Sequence, residues 1–85
     1  MSATKLFIGT SEVSTSTANL DIASGVDRFE EIDFYNVDAC TVKINGSDAI
    51  YLRAGQGFID ESPIYKFIIV EESIDYNYIA SYIPS

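Results

Sequence analysis

Carboxylates are the groups in this chain with the most potential for chemistry, because 13 of its 85 residues are Asp or Glu. Two converging carboxylates can act as general acid and base, and turns rich in oxygen atoms can bind calcium. The acids near predicted turns are Asp38, Asp48, Asp60 and Glu61. No loop has the Asp-x-Asp/Asn-x-Asp/Asn-Gly pattern of a calcium loop. The carboxylates lie at alternating strand positions and in turns, so the sequence predicts no metal site and no acid–base pair.

Nucleophilic and nucleotide chemistry have few candidates. Cys40 is the one cysteine, and the chain has no histidine, which excludes a Cys–His pair and the commonest transition-metal ligand. The neighbours of Cys40 are strand-forming, which predicts a buried structural thiol. Gly55-Gln-Gly57 lacks the third glycine, the following helix and the Lys-Ser/Thr pair of a phosphate-binding loop. The sequence therefore predicts a non-enzymatic chain without a cofactor.

Tyrosines are the remaining candidates for a functional surface. Tyrosine is enriched at protein interfaces because it joins an apolar ring to a polar tip. Alternate residues of an extended chain share a face, which places the last three tyrosines in one row. The predicted partner-interface residues are Tyr51, Tyr65, Tyr76, Tyr78 and Tyr82. Two alternatives stay open for the row: packing against an opposing sheet inside the fold, and stacking on a carbohydrate.

Charge and composition restrict the class of partner. The net charge of −8 produces a field that repels phosphate backbones and anionic lipids, so we expect neither nucleic acid nor membrane as a partner. With 47% hydrophobic residues the chain is too apolar for intrinsic disorder. No apolar run approaches the ~18 residues that span a bilayer, and the run after Lys5 is too short for a signal-peptide core. We therefore expect a soluble protein made in the cytoplasm.

Short strand-like runs separated by turn residues follow one another along the chain. Ile32 and Phe34 alternate with polar residues and predict a half-buried strand, and Asn45-Gly46 predicts a hairpin turn. The Ser- and Thr-rich residues 10–25 predict a long loop or one or two weak edge strands; their composition disfavours a further alternative, a helix over 15–23. The other predicted strands are 4–8, 40–44, 50–52, 58–59, 63–72 and 73–83.

The last third of the chain is its most strand-like part. Phe67 to Val70 is the longest apolar run and predicts a buried central strand. It is followed at once, through Glu71-Glu-Ser73, by the alternating strand that carries the tyrosine row, and together the two runs predict a hairpin. Seven or eight short strands and no strong helix predict one all-β domain over residues 1–85, an antiparallel β-sandwich or a jelly-roll-like barrel. A domain of this size has modest independent stability, to which association could add.

Several strand and turn segments within residues 28–82 resemble those of a known class of protein. The segments are Phe34-Tyr-Asn36, Cys40-Thr-Val-Lys-Ile-Asn-Gly46, Ile50-Tyr-Leu-Arg-Ala-Gly-Gln-Gly-Phe58 and Phe67-Ile-Ile-Val-Glu71. They resemble small β-sandwich proteins encoded among the structural genes of tailed bacteriophages. The Gly-Gln-Gly corner is also similar to the turn of cupin barrels, whose histidine metal ligands this chain lacks.

The resemblance to phage structural proteins implies a location in the virion. It implies a capsid decoration or cement protein that binds the major capsid protein or other virion proteins as a homo-oligomer. The threefold positions of a capsid favour a trimer. The alternative that the same resemblance implies is a receptor- or glycan-binding module of a phage tail or fibre.

Overall fold

The computed structural model describes residues 4–84, and within that range the chain is all-β, with nine strands in two antiparallel sheets. The predicted fold class is confirmed. The strands are β1 (Leu6–Gly9), β2 (Ser14–Thr15), β3 (Leu20–Asp21), β4 (Glu31–Asn36), β5 (Cys40–Ile44), β6 (Ile50–Leu52), β7 (Phe58–Asp60), β8 (Phe67–Ile69) and β9 (Asp75–Tyr82). The two-residue strands β2 and β3 are the weak strands expected in the Ser- and Thr-rich region. No helix long and apolar enough to cross a membrane occurs among residues 4–84.

The chain passes repeatedly between the two sheets. The large sheet has the strand order β1-β9-β4-β7, and β2 pairs with β9 beside β1. The small sheet has the order β3-β8-β5-β6. Consecutive strands β4 and β5, β6 and β7, and β8 and β9 therefore lie in different sheets. Of the consecutive strands after β4, only β5 and β6 pair as a hairpin, through the predicted turn at Asn45 (φ 53°) and Gly46 (φ 77°).

The predicted terminal hairpin is wrong, because β8 and β9 belong to different sheets. Strand β8 lies between β3 and β5, which confirms the prediction of a central strand, whereas β9 pairs with β1, β2 and β4. The backbone between β8 and β9 bonds to Ser16 instead of closing on itself. The Ser16 hydroxyl donates to the Glu71 carbonyl oxygen at 2.8 Å and accepts from the Ile74 amide at 3.0 Å. The Ser73 amide donates to the Ser16 carbonyl oxygen at 2.8 Å, so residues from the N-terminal third direct this crossover.

The core is the layer of inward side chains between the sheets. Alternation places Ile32 and Phe34 inward on β4, as the sequence predicts, and Phe67 and Ile69 inward on β8. The rings of Phe34 and Phe67, one from each sheet, are fully buried with their centroids 4.7 Å apart. This contact joins the two sheets.

One buried polar side chain holds the corners where the chain changes sheets. Asn36 is fully buried; its Nδ2 donates to the carbonyl oxygens of Asp38 at 3.0 Å and Arg53 at 2.8 Å. Its Oδ1 accepts from the Gly57 amide at 2.9 Å. Gly55 (φ 76°) and Gly57 (φ 72°) have backbone conformations that favour glycine, and both lie in the corner where the chain passes from β6 to β7.

A carboxylate outside the core stabilises the small sheet through charge-assisted hydrogen bonds. Glu71 accepts from the Thr41 amide and from the Thr41 hydroxyl, each at 2.7 Å. Burial raises the pKa of the Glu71 carboxyl, but the hydrogen bonds from Thr41 outweigh it, and the pKa lies below its ordinary value of 4.5. The carboxylate is therefore favoured in the folded chain.

We expect replacement of Glu71 by glutamine to make stability less sensitive to acid. A carboxyl with a lowered pKa in the folded state stabilises the fold above its unfolded pKa, and this contribution is lost as the pH falls through the folded pKa. Urea unfolding of the wild type should therefore show a loss of stability below pH 4.5 that Glu71→Gln reduces. Glu72→Gln, at the exposed neighbouring position, is the matched control. Equal acid sensitivity in the wild type and Glu71→Gln would contradict this role.

Candidate interaction surface

The carboxylates near turns do not assemble into a metal site. No group of three or more Cys, Asp or Glu side chains that could hold an ion occurs among residues 4–84. Two of the four acids near turns, Asp38 and Asp60, accept backbone hydrogen bonds instead. Asp38 Oδ2 accepts from the Asp75 amide at 3.1 Å, and Asp60 Oδ1 accepts from the Ser62 amide at 3.0 Å. These two carboxylates have evident structural roles.

Cys40 is a buried thiol, as predicted. It faces the core from β5 with 1% of its surface exposed. Burial raises the pKa of the Cys40 thiol from 9.0 to about 11, and the carboxylates of Glu71 and Asp38 add to this shift. At neutral pH the thiol is protonated and shielded from solvent, which is the opposite of what a nucleophilic cysteine needs.

The tyrosine row of β9 lies mainly inside the fold. Tyr76 is 7% exposed, with its ring centroid 6.0 Å from that of Phe34. Tyr78 is half-buried, 5.9 Å from Phe29 and 6.5 Å from Tyr76, and burial raises the pKa of both phenols. Tyr82 at the end of the row is also half-buried. Tyr76 and Tyr78 therefore form an aromatic wall of the core, the first of the two alternatives that the sequence left open.

The other two predicted interface tyrosines are exposed. Tyr51 is 64% exposed on β6, opposite Thr41 in the small sheet. Tyr65 is 54% exposed in the segment before β8, where its amide donates to Asn45 Oδ1. In the described part of the chain neither ring contacts another aromatic ring. Tyr51 and Tyr65 are not part of the tyrosine row on β9. A contact between these two side chains and another molecule stays a prediction.

An exposed apolar surface, which was not predicted from the sequence, covers the outer face of the large sheet. Its most exposed side chains are Ile59 (74%), Phe7 (66%) and Ile79 (54%), one each from β7, β1 and β9. They border a shallow groove with a volume of about 140 Å³. The side chains that line this outer groove include Phe7, Glu31, Asp33, Ile59, Asp60, Glu61, Ile79 and Ser81.

Strand register explains how the outer groove is built. Strand β4 lies between β7 and β9, and Asp33 is directly opposite Ile59 on one side and Ile79 on the other. Outward positions of a one-sided sheet are normally polar, so each of these isoleucines breaks the usual alternation. An apolar residue at an outward position is therefore the sign of this surface in the sequence. Nothing in the sequence predicts that β7, β4 and β9 are neighbours.

The charges of the outer groove are unevenly compensated. Glu31 accepts from the Ser81 hydroxyl at 3.1 Å and forms an ion pair with Lys5 at 3.7 Å. Within residues 4–84 the Asp33 carboxylate forms no side-chain hydrogen bond and no ion pair, and it lies between two exposed isoleucines. The groove therefore combines an apolar rim with a negative centre.

Comparison of the chain with protein-family models, curated proteins and solved structures finds no match.

Proposed function

We propose that this chain is a non-enzymatic structural protein of a tailed-phage virion that decorates or cements the head by binding the major capsid protein or another virion protein. The observation that supports binding is the outer face of the large sheet, where Phe7, Ile59 and Ile79 are more than half exposed. A group of large apolar side chains left in water marks an interaction surface in soluble proteins. The resemblance of the strand and turn segments in residues 28–82 to phage structural proteins supports the virion as the place of binding.

The shape of this face favours a protein over a small molecule as its partner. Small-ligand sites are concave, with volumes from roughly 300 Å³ upward, and enclose most of the ligand. The outer groove has about 140 Å³ and is open to solvent. Its residues lie mostly on paired strands, so little backbone conformational entropy is lost when another surface covers them.

A receptor- or glycan-binding module of a tail or fibre is the second candidate. The exposed rings of Tyr51 and Tyr65 favour it, because aromatic faces offer flat apolar platforms to sugar rings. Saturable binding of the monomeric chain to a glycan array, lost on replacement of either tyrosine, would support this candidate. Binding to heads without binding to glycans would support the first.

We expect Ile79→Ser to weaken binding to phage heads by roughly fivefold to tenfold, because full burial of an isoleucine side chain contributes about 1.5 to 3 kcal/mol and a partner can cover the 54% of Ile79 that is exposed. The measurement is co-sedimentation of the purified chain with heads of the phage that encodes it. Val13→Ser is the matched control, since Val13 has the same exposed fraction of 54% but does not line the groove.

Three outcomes would decide this test. Co-sedimentation of the wild type that Ile79→Ser weakens and Val13→Ser does not would support the proposal. Failure of the wild type to bind heads would contradict the function. Equal weakening by both variants would contradict the assignment of the outer groove as the binding surface.

Light scattering of the free chain gives its oligomeric state, and a mass of three times 9.4 kDa would support the expected trimer.

A further inference from the structure

We propose that the outer groove recognises an arginine or lysine flanked by apolar side chains on the partner protein, and that Asp33 selects this positive charge. The inference rests on the proposed function in taking the outer face of the large sheet as the contact surface. It adds the chemistry of the partner, and it separates that partner from a second copy of this chain.

The position of Asp33 makes its desolvation unavoidable. In the register of the sheet it stands between Ile79 and Ile59 on adjacent strands. Directly opposed residues of an antiparallel pair have Cβ atoms roughly 4.5 to 5.5 Å apart. A partner surface that covers both isoleucines must therefore also cover the carboxylate between them.

Covering this carboxylate without a counter-charge would cancel the gain from the apolar contact. The effective penalty for removing an ion from water is several kcal/mol, whereas each fully buried isoleucine contributes about 1.5 to 3 kcal/mol. Interface centres are depleted of charged residues for this reason. Lys5 forms an ion pair with Glu31 of the groove, and within residues 4–84 no ion pair involves Asp33. The partner must therefore supply the positive charge.

Arginine fits the outer groove best. Its planar guanidinium binds a carboxylate through two parallel hydrogen bonds, and its aliphatic stem can lie along an isoleucine. Further carboxylates, those of Glu31, Asp60 and Glu61, line the same groove and favour a basic partner. The net charge of −8 adds long-range attraction that speeds association with a basic surface.

A second copy of this chain is the wrong occupant. A two-fold contact between two large sheets would place the same patch on both sides, with one Asp33 near the other. Like charges brought together in a desolvated contact cost several kcal/mol. Asp33 therefore prevents the large sheets of two copies from stacking, and a homo-oligomer would form through another surface.

The chemistry of the outer groove can be tested with small probes and the intact chain. We expect n-hexylguanidinium to shift the backbone amide resonances of β4, β7 and β9 around Asp33 in a saturable manner. Hexyl sulfate and hexanol, which have the same alkyl chain but carry a negative charge or none, should bind this groove more weakly. Asp33→Asn should weaken hexylguanidinium binding by about tenfold, the scale of one charged hydrogen bond. Asp48→Asn removes one charge from a turn of the small sheet and should have no effect.

Equal binding of the three probes, or equal affinity of the wild type and Asp33→Asn, would overturn the inference.

The Asp33→Asn variant also tests whether Asp33 excludes a second copy of the chain from the outer groove. Light scattering should show more self-association for Asp33→Asn than for the wild type. A wild-type dimer that Ile59→Ser dissociates would contradict this. Guanidinium binding that fails while heads still bind would overturn only this inference; the reverse result would overturn only the proposed function.

Discussion

Replacement of Phe34 by alanine is expected to lower the free energy of unfolding by about 3 to 5 kcal/mol, the usual range for a buried aromatic residue. Phe34 is fully buried, 4.7 Å from Phe67 of the opposite sheet and 6.0 Å from Tyr76 of its own. A chain of this length has on the order of 4 to 13 kcal/mol of stability in total. The variant should therefore unfold at a much lower urea concentration than the wild type.

Phe7→Ala is the matched control for this prediction, because the same side chain is removed from the same sheet on its opposite face. Phe7 is 66% exposed, so the loss of stability should stay within about 0.5 kcal/mol. Urea unfolding monitored by circular dichroism measures both variants. A similar loss in the two would mean that the outer face contributes to the fold as much as the core does, and would contradict the assignment of Phe7 to an interaction surface.

Replacement of Asn36 by alanine is expected to cost about 3 kcal/mol or more. The side chain makes three hydrogen bonds in a fully buried position, each worth roughly 1 kcal/mol, and its loss leaves buried backbone groups without partners. Those partners lie in the two corners where the chain passes between sheets. We therefore expect amide hydrogen exchange in residues 53–57 to accelerate more than exchange in β9.

Asn77→Ala is the control for Asn36→Ala. Asn77 lies on β9, opposite Tyr35, and makes no side-chain hydrogen bond within residues 4–84. Its replacement should change the free energy of unfolding by less than about 0.5 kcal/mol. Equal losses for the two asparagines, or uniform acceleration of exchange along the chain, would contradict a specific role of Asn36 at the corners.

The strands could be predicted from the sequence because each one is short and locally patterned. The alternation of Ile32 and Phe34 with acidic residues indicates both strand β4 and its buried face, and Asn45-Gly46 indicates the turn between β5 and β6. The pairing of β8 and β9 could not be predicted. Their connection is short enough for a hairpin, and the bonds that direct it elsewhere come from Ser16, more than fifty residues away in sequence.

The outer groove could not be predicted for a related reason. Phe7, Ile59 and Ile79 are each an ordinary exposed apolar residue when considered alone, and they become a surface only through the strand order of the large sheet. The tyrosines, by contrast, were visible in the sequence as a row. Periodicity indicates that Tyr76, Tyr78 and Tyr82 share a face, but both faces of β9 carry apolar residues, so it does not indicate which face is buried.

Hydroxyl-radical footprinting of the chain, free and bound to phage heads, tests most directly whether the outer face of the large sheet is the binding surface. The method reports the solvent accessibility of individual side chains in the intact complex. We expect Phe7, Ile59 and Ile79 to become protected from oxidation on binding. If these three side chains stay as reactive in the bound state as in the free chain, while Tyr51 and Tyr65 become protected, the binding surface lies elsewhere and the central claim is wrong.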